Sequence, residues 1–365
     1  MREVFYFGAG PAALPNSILK KIQSEFLNYD KSGLSILEVS HRSEEFLSIK
    51  KGAEVLLREL LKIPGNYEIL FMHGGATSQY SILPLNFLGG NKSADYICTG
   101  HWSVKAYKEA ERLANVRKVD ALESCDKLEI LPLNSLDLDP NSFYIHYCDN
   151  ETINGVKFSF IPELLGSNLV CDMTSSILSN PIDVNKFGII YASAQKNLGI
   201  AGLCVVVIKN NIIENCNINV PRLYDYRQCC IENSLVNTPP IFQIYVLKLL
   251  LDWVKSEGGV EEMHKRCKVK SEMIYDVLDN SQLYVNNVCQ VNRSAINVPF
   301  DLKNPSLQSS FLQKASASKL LGLKGHKSVG GLRVSFYNAM PEKGVNKLVE
   351  FMQEFEINNS SSIND

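Results

Sequence analysis

Short apolar runs alternate with amphipathic stretches from about residue 66 onward. Several of these runs have the length and the β-branched or aromatic content of strands, and they read YEILFM, ADYICT, FYIHYC, NLVCDM, GIIYASA and GLCVVVIK. The segment 103–116 has the periodicity of a helix between two of them. This alternation predicts an α/β fold, with a mainly parallel central sheet flanked by helices.

The pattern changes after residues 237–259, which read as a strongly apolar helix ended by paired glycines. From about residue 262 the chain reads as a helix, two strands (LYVNNV and INVPFDL), a second helix, a strand (GLRVSFYN) and a last helix (VNKLVEFMQEF). We interpret 16–261 as a large domain and 262–365, completed by residues 1–15, as a smaller α/β domain. The tail INNSSSIND has no apolar periodicity, and we expect it to fray.

Charge and cysteine content narrow the class of function. The 37 basic and 39 acidic residues are mixed along the chain, so we expect no field that would attract nucleic acid or a membrane surface. No apolar run approaches the roughly 20 residues that span a bilayer, and the cytoplasm is the default compartment. Ten cysteines without a CxxC pair indicate reduced thiols and no metal site, although Cys229 and Cys230 could be redox-active.

Polar and glycine-rich segments follow the predicted strands. In chain order these segments are HGGATSQ, GHWS, DNETING, TSS and QKN. The carboxyl ends of parallel strands meet at one edge of an open sheet, and such folds bind their ligands there. We therefore expect these segments to surround one site.

Lys196 follows the run GIIYASA, and Asp172 ends the run NLVCDM. Burial disfavours the charged form of a lysine at such a position, and a neutral amine is a nucleophile. A converging amine and carboxylate suit pyridoxal phosphate, because the lysine can form a Schiff base while the aspartate keeps the pyridine nitrogen protonated. Taken singly, Lys196 could extend to solvent and Asp172 could cap a turn.

Two further segments could serve the phosphate and the ring of such a cofactor. HGGATSQY offers a glycine-rich turn entering a helix, whose free N–H groups bind phosphate, with hydroxyls from Thr77 and Ser78. Trp102, one of two tryptophans, follows a strand and could stack on the pyridine ring. Each segment alone also fits an ordinary turn or a core tryptophan.

Many segments occur together in the order of one known family, and they include FGAGPAALP, EVSHRSEEF, HGGATSQY, TGHWS, HYCDNETING, CDMTSS, SAQKNLGIAGL, NTPP, RSAINVPF, GHKSVGG and GGLRVSFYNAMP. With them the chain closely resembles the phosphoserine aminotransferases over nearly its whole length. The resemblance implies a homodimeric, fold-type I pyridoxal-phosphate enzyme of class V. It also implies amino transfer between L-glutamate and 3-phosphohydroxypyruvate by a ping-pong mechanism, giving O-phospho-L-serine and 2-oxoglutarate in serine biosynthesis.

The resemblance also implies roles for individual residues. Lys196 resembles the Schiff-base lysine, Asp172 the partner of the pyridine nitrogen, and Trp102 the residue stacked on the ring. Further cofactor contacts implied by the motifs are Ala76, Thr77, Thr152 and Gln195, together with Asn237 and Thr238 from the other subunit. For the substrates, the resemblance implies Arg333 at the α-carboxylate and His41 and Arg42 at the distal carboxylate or phosphate, with His326 and Lys327 as additional candidates.

Two positions depart from a common form of the family, which carries arginine where this chain has Thr77 and Lys327. The planar fork of arginine binds two oxygens of an anion at once, so phosphate recognition here has fewer forked donors. Bland alternatives remain open for the other positions. Arg42 and Arg333 could form surface ion pairs, NTPP could cap a helix, and residues 326–327 could lie in a solvated loop.

Other functional classes also remain open. VFYFGAGPAAL contains GxGxxA after a short apolar run and could open the dinucleotide-binding unit of an oxidoreductase, although Pro15 follows closely. A nearer alternative is another class V aminotransferase or a cysteine desulfurase, but no cysteine lies beside GGLRVS or SHRSE. A non-catalytic binding protein would leave the pair of Lys196 and Asp172 unexplained.

Overall fold

A seven-stranded sheet lies at the centre of the fold. The structure is a computed structural model that describes residues 4–163 and 166–359. The described strands are β1 (Phe5–Tyr6), β2 (Tyr67–Gly74), β3 (Ala94–Cys98), β4 (Val116–Asp120), β5 (Leu122–Glu123), β6 (Glu129–Ile130), β7 (Tyr144–Cys148), β8 (Asn168–Asp172), β9 (Ile189–Ser193), β10 (Gly202–Lys209), β11 (Tyr284–Val285), β12 (Asn297–Leu302), β13 (Leu320–Leu321) and β14 (Leu332–Ser335). The described α-helices are α1 (Asn16–Glu25), α2 (Glu44–Leu61), α3 (Ala76–Phe87), α4 (His101–Ala110), α5 (Asn210–Ile213), α6 (Tyr226–Ile231), α7 (Ile241–Ser256), α8 (Gly259–Asn280), α9 (Gln308–Ala317) and α10 (Glu342–Asn358).

The strand order in the central sheet is β2-β10-β9-β8-β7-β3-β4. Strand β10 runs antiparallel to β2 and β9, and the other pairings are parallel. The predicted α/β class with a mainly parallel sheet is confirmed, and all six predicted strands lie in this sheet. The predicted helix over 103–116 was too long, because α4 ends at Ala110 and Val116 already begins the edge strand β4. Residues 111–115 form a turn between the two elements, and β4 has a single buried residue, Val119, so its sequence lacks the apolar alternation of a strand.

Alternate side chains of β10 enter two different cores. Leu203, Val205 and Val207 pack on one face of the sheet with the long helices α2 and α7, and Cys204 and Val206 pack on the other face with α3 and α4. Burial of both faces explains the continuous apolar runs, which are typical of strands covered by helices on each side. Both layers of helices therefore hold the strand ends in fixed positions.

A smaller unit packs against the carboxyl edge of the sheet. It contains the antiparallel sheet β11-β12-β14, the parallel pair β1 and β13, and helices α8, α9 and α10 around a third apolar core. We call these elements the small unit. Phe7 is fully buried in this core, as the predicted contribution of the first residues requires. Helix α8 runs through the predicted boundary at 261/262, with Met263 in the large core and Ile274 in the small one, so the boundary itself stays a prediction.

The position of β1 is incompatible with the dinucleotide-binding alternative. In such folds the glycine motif follows a strand of the main parallel sheet and opens a helix directly. Here β1 pairs with β13 outside the central sheet, and α1 begins only at Asn16.

The predicted frayed tail falls only partly on described residues. Ile357 and Asn358 still belong to α10, and residues 360–365 lie outside the described residues. Among the residues described, no helix has the length and hydropathy needed to cross a membrane.

Candidate active site

The carboxyl ends of the central strands and the small unit enclose a cavity of about 500 Å³. The following predicted cofactor residues line it: Ala76, Thr77, Trp102, Thr152, Asp172, Gln195 and Lys196. Of the predicted substrate residues, Arg333 and His326 line it as well. The structure therefore brings nine residues from distant parts of the sequence to one cavity.

Asp172 is the last residue of β8, and its side chain is only 4% exposed. Its Oδ1 accepts a hydrogen bond from the Thr174 backbone N–H at 2.9 Å, and its Oδ2 accepts one from the Tyr80 hydroxyl at 3.3 Å. Burial raises the pKa of Asp172, while the hydrogen bonds from Thr174 and the nearby charge of Lys196 act in the opposite direction. Tyr80 was missed by the sequence reasoning. Its position one helical turn after Ala76 was the available signal, since residues four apart share a helix face.

Lys196 lies in the turn after β9 and is 8% exposed. Its Nζ is 5.9 Å from the centre of the Trp102 ring. The next residue, Asn197, fixes this turn through two hydrogen bonds of its side-chain amide. Its Nδ2 donates to the Ile177 carbonyl at 2.9 Å, and its Oδ1 accepts from the Asn338 backbone N–H at 3.0 Å. Because Asn338 follows β14, this bond ties the lysine turn to the small unit.

Trp102 is held at the start of α4 by residues that follow β7. Its indole Nε1 donates to the Thr152 hydroxyl at 2.8 Å, and its backbone N–H donates to Glu151 Oε2 at 2.9 Å. Glu151 is fully buried and also accepts from the Ser103 backbone N–H at 2.8 Å. Burial raises the pKa of Glu151, and the two backbone donors oppose that shift. The sequence reasoning did not single out this carboxylate, which satisfies free N–H groups in the first turn of α4.

The turn before α3 leaves the helix N-terminus open to the cavity. No side chain caps this helix, so the first-turn N–H groups at Ala76 and Thr77 remain available to an anion. Gly74 has a φ of +93°, and a Cβ there would lie 2.8 Å from the Ser78 hydroxyl. Ser78 Oγ donates to the Gly75 carbonyl at 2.6 Å, so this hydroxyl stabilises the turn and, contrary to expectation, does not line the cavity.

Gln195 connects the cavity to the N-terminal segment. Its side-chain carbonyl accepts from the Ser193 hydroxyl, and its backbone carbonyl accepts from the Ala12 N–H at 2.9 Å. The neighbouring residues Gly10 and Pro11 line the cavity. The glycine-rich segment near the N-terminus thus forms part of the cavity wall.

Arg333 enters the cavity from β14 of the small unit. Its Nη1 donates to the Thr152 carbonyl at 3.0 Å, and burial lowers the pKa of its guanidinium. His326 lies in the loop after β13 and also lines the cavity, whereas Lys327 is exposed and is not part of the wall. The small unit therefore contributes one firmly placed cation and one imidazole.

Besides Lys327, four predicted residues lie outside the cavity of their own chain. Arg42 is exposed and His41 is half-buried in the loop before α2, and Asn237 and Thr238 are exposed before α7. The Thr238 carbonyl accepts from His73 Nε2 at 2.9 Å. For Asn237 and Thr238 this placement matches the expectation that they serve another subunit, and the roles of all four stay predictions.

The adjacent cysteines Cys229 and Cys230 and the cavity cysteine Cys148 do not suit redox or nucleophilic chemistry. Burial raises the pKa of Cys229 and of Cys230 to about 12, so both are thiols at neutral pH. Cys148 lines the cavity at the end of β7, but burial raises its pKa well above the usual value, and the desulfurase alternative requires a cysteine on a mobile loop. The described residues contain no cluster of metal-ligating side chains.

No ion pair among the described residues involves the lysine, the aspartate or the arginine that line the cavity, which are Lys196, Asp172 and Arg333. Buried charges are normally paired, because desolvation is costly. A ligand with an aldehyde, a basic ring nitrogen and a carboxylate would satisfy all three groups, and the open helix N-terminus would hold its phosphate. The donor set therefore fits pyridoxal phosphate together with an amino-acid substrate.

Comparison with known proteins gives a consistent result. The family model for aminotransferase class-V matches residues 4–348. The chain is 47% identical over 360 residues to a phosphoserine aminotransferase of Bacillus cereus, covering 98% of this chain and 100% of that protein. The structure of phosphoserine aminotransferase from Bacillus circulans subsp. alkalophilus superimposes with a TM-score of 0.95 at 38% identity, over 98% and 99% of the two chains. The PLP-bound phosphoserine aminotransferase of Trichomonas vaginalis gives a TM-score of 0.91 at 38% identity, over 96% and 99%.

Proposed function

The chain belongs to the phosphoserine aminotransferases of the class-V aminotransferase family, and from this premise we propose that it transfers the amino group between L-glutamate and 3-phosphohydroxypyruvate. The products are O-phospho-L-serine and 2-oxoglutarate, and the reaction belongs to serine biosynthesis. The predicted family, fold type and enzyme class are confirmed. One observation supports the site assignment most strongly: Lys196, Asp172 and Trp102 line one cavity beside the uncapped N-terminus of α3.

Pyridoxal 5′-phosphate, when bound, supplies an aldehyde for the amino group and a pyridinium ring that accepts the electron pair left when the α-proton departs. Asp172 would face the ring nitrogen, Trp102 the ring face, and the N–H groups of Ala76 and Thr77 the phosphate. Thr152 orients Trp102 through the indole hydrogen bond, and Gln195 lies beside the aldehyde-binding lysine. A cationic ring nitrogen would offset the desolvation of Asp172 and would favour its carboxylate form.

Lys196 has two roles in this proposal. Its amine would hold the cofactor through the aldehyde in the resting enzyme and would be free once an amino-acid substrate is bound. The free amine would then remove the α-proton of the amino-acid donor. In the second half-reaction it would donate a proton to the α-carbon of the new amino acid. Because the Asn197 amide anchors the adjacent backbone at both ends, Nζ moves by side-chain rotation while the turn stays in place.

Arg333 binds the α-carboxylate that both substrates carry. Its guanidinium is desolvated, which lowers its pKa, and a carboxylate partner would reverse that cost with a bidentate pair. The bond from Nη1 to the Thr152 carbonyl orients the planar group toward the cavity. Since one carboxylate site serves two substrates in turn, we expect ping-pong kinetics.

The test of the substrate assignment compares 3-phosphohydroxypyruvate with hydroxypyruvate as acceptors of the amino group from glutamate. We expect kcat/KM to be at least about 100-fold higher for the phosphorylated acid, because a desolvated phosphate contact contributes about 3 kcal/mol. Equal kcat/KM for both acids would exclude a phosphate-specific enzyme. Turnover with glyoxylate alone would favour a different class V aminotransferase.

We also propose a homodimer in which Asn237, Thr238, His41 and Arg42 complete the site of the partner subunit. All four lie outside the cavity of their own chain, and three of them are exposed, which supports this arrangement. An isologous dimer would place both copies symmetrically.

Co-expression of two inactive variants tests the shared site. Lys196→Ala and Thr238→Glu homodimers should both be inactive or severely impaired, because a carboxylate at Thr238 repels the cofactor phosphate. Their heterodimer has one site with both changes and one intact site, so activity should return in part. As a matched control, Lys196→Ala with Asp172→Ala leaves one defect in each site and should give no rescue. An inactive Lys196→Ala/Thr238→Glu heterodimer, isolated with two tags, would exclude sharing through Thr238.

The compartment and the domain boundary are likewise proposals. All ten cysteines are free thiols, which is typical of a reducing compartment such as the cytoplasm. We assign residues 16–261 to the large domain and 1–15 with 262–365 to the small one, supported by the separate apolar cores.

A further inference from the structure

Two histidines meet where α4 approaches the small unit. The ring centres of His101 and His326 are 5.6 Å apart, with the ring planes at 51°. His326 lines the catalytic cavity together with Arg333. His101 is the first residue of α4, and its ring centre lies 5.1 Å from that of Trp102 in an edge-to-face arrangement. His101 also lines a neighbouring surface cavity of about 510 Å³. His101 therefore lies next to His326, which is a predicted ligand of the substrate phosphate.

The tautomer of His326 follows from its hydrogen bonds to Ser328. The backbone N–H of Ser328 points at Nδ1 with a separation of 3.3 Å, and the Ser328 hydroxyl lies 2.7 Å from the same nitrogen. Because a backbone N–H can only donate, Nδ1 accepts, and the single proton of the neutral ring is on Nε2. His326 is thus held as a neutral Nε2–H donor, and protonation of Nδ1 would break the bond from the Ser328 backbone.

His101 has no such fixed role, and its surroundings are mainly cationic. Burial lowers its pKa first, and Lys105 and Lys108 of the same helix lower it further. The N-terminal end of the α4 dipole also disfavours a cation at this position. From the small unit, His326 faces it directly, with Lys327 and Arg333 acting on that ring.

Two carboxylates near this end of α4 already have partners. Glu151 accepts from the Trp102 and Ser103 backbone N–H groups. Asp120, across the surface cavity, forms an ion pair with Lys118 at 2.6 Å. Without an added anion, the neutral form of His101 is favoured.

Resting on the proposed function, we propose that His101 is a positioning residue for the substrate phosphate, and that it takes up a proton from solvent when the phosphate binds at His326. The bound dianion supplies the negative charge that the site otherwise lacks. His101 then becomes a cation behind the neutral donor His326, and its ring contact keeps Nε2–H directed at the phosphate. In this way a titrating imidazole supplies part of the positive charge that forked donors at positions 77 and 327 would provide.

The sign of the pH dependence follows from this linkage. Phosphate binding raises the pKa of His101 above its free value, so affinity is highest below the free pKa and falls as pH rises toward the bound pKa. Above the bound value His101 is neutral in both states and contributes no charge. The second ionisation of the substrate phosphate, near pH 6, acts equally on any variant and cancels in a ratio.

His101→Asn tests the proposal, because asparagine keeps a polar side chain at the helix start and cannot titrate. The matched control is His264→Asn, on an exposed face of α8. For the holoenzymes, the Michaelis constant for the phosphorylated keto acid and the inhibition constant for inorganic phosphate are measured from about pH 6 to pH 9. We expect both constants to rise about three- to tenfold in His101→Asn at the acid end and to approach those of the unchanged enzyme at the alkaline end. The kcat and the Michaelis constant for glutamate should change less than about twofold.

Three outcomes would overturn the proposal while leaving the proposed function intact. They are a KM ratio that does not vary with pH, an equal loss on glutamate and on the phosphorylated acid, and the same change in His264→Asn. The proposed function fails separately, if the unchanged enzyme does not transaminate 3-phosphohydroxypyruvate. A Ser328→Pro variant adds an independent measurement: proline has no backbone N–H to donate to Nδ1, so the inhibition constant for inorganic phosphate should also rise, and no change would contradict the tautomer.

Discussion

The two walls of the catalytic cavity differ in burial and in hydrogen bonding. On the sheet side, Asp172 and Lys196 are 4% and 8% exposed and follow strands that are packed on both faces. On the small-unit side, residues 324–331 form a glycine-rich loop in which Val329 is 64% exposed. The sheet side would hold a cofactor that stays in place, whereas the loop side would meet two substrates with different distal groups. A rigid wall suits the first task and an adaptable wall suits the second.

Hydrogen bonding follows the same division. Asp172 accepts from Thr174 and Tyr80, and these donors fix its carboxylate before any ligand arrives. In the loop, the imidazole of His326 is hydrogen-bonded to Ser328, two residues away in the same loop, and Gly330 and Gly331 have φ values of +75° and +65°. We therefore expect changes on the sheet side to affect chemistry and changes in the loop to affect mainly substrate affinity.

The largest effect is expected for Lys196→Ala. Loss of the amine removes both cofactor attachment and proton transfer, so turnover should fall by about 10⁴-fold or more while the fold is retained. Turnover and the visible absorbance of the cofactor are the measurements. Lys186→Ala is the control, because Lys186 lies on the surface and pairs with Glu163. Near-normal turnover of Lys196→Ala would exclude its assigned role.

Asp172→Ala should cost about 3–4 kcal/mol of transition-state stabilisation, or roughly 10²- to 10³-fold in kcat, because a neutral pyridine accepts electrons poorly. Single-turnover absorbance measurements with glutamate would report the chemical step directly. A loss of only a few-fold would contradict the assignment of Asp172 to the ring nitrogen.

Arg333→Ala should lower kcat/KM by about 2–3 kcal/mol in both half-reactions, since each substrate carries an α-carboxylate. Arg42→Ala should weaken only the recognition of the distal group. Half-reaction kinetics separate the two roles when glutamate and O-phospho-L-serine are compared with L-alanine, which has an α-carboxylate and no distal anion. The division of labour would be wrong if both variants lost the same activity on every substrate.

Gly331→Ala tests the loop wall. An added Cβ must adopt a φ of +65° and would collide with the Asp301 carboxylate, so we expect a stability loss of about 1–2 kcal/mol and a several-fold higher KM. Gly90→Ala is matched in backbone, with a φ of +60° and open space around the added methyl. Urea denaturation should show a loss for both variants, with an altered KM only for Gly331→Ala. An altered kcat in Gly331→Ala at unchanged KM would contradict the proposed difference between the walls.

The smallest effect is expected for Tyr80→Phe, which removes one hydrogen bond to Asp172. Its loss should cost about 0.5–1.5 kcal/mol, seen as a lower kcat and weaker cofactor retention at unchanged KM. Tyr107→Phe, which removes a surface hydroxyl bonded to Glu111, is the control. A change in KM alone would indicate that Tyr80 affects substrate binding and would contradict its assigned effect on Asp172.

The amino-acid sequence by itself determined the fold class, six of the seven strands of the central sheet and most of the catalytic cavity. Apolar periodicity depends on neighbours in the chain, and residues such as Lys196, Asp172 and Trp102 stand at strand ends or helix starts that this periodicity marks. The glycine-rich turn at Gly74 could also be predicted from the sequence, because the residues that form a turn are adjacent in the chain. These features require no knowledge of which strands are adjacent.

Only the tertiary structure decided which distant residues meet. The bond from Tyr80 to Asp172, the cap that Glu151 places on α4 and the contact of His101 with His326 join residues 92, 48 and 225 positions apart (326 − 101 for the last). Sequence patterns are silent on such pairs, since they depend on sheet order and on how the small unit docks. Edge strand β4 was missed for the same reason, because a strand with one buried residue is stabilised by its partner β3 and not by its own periodicity.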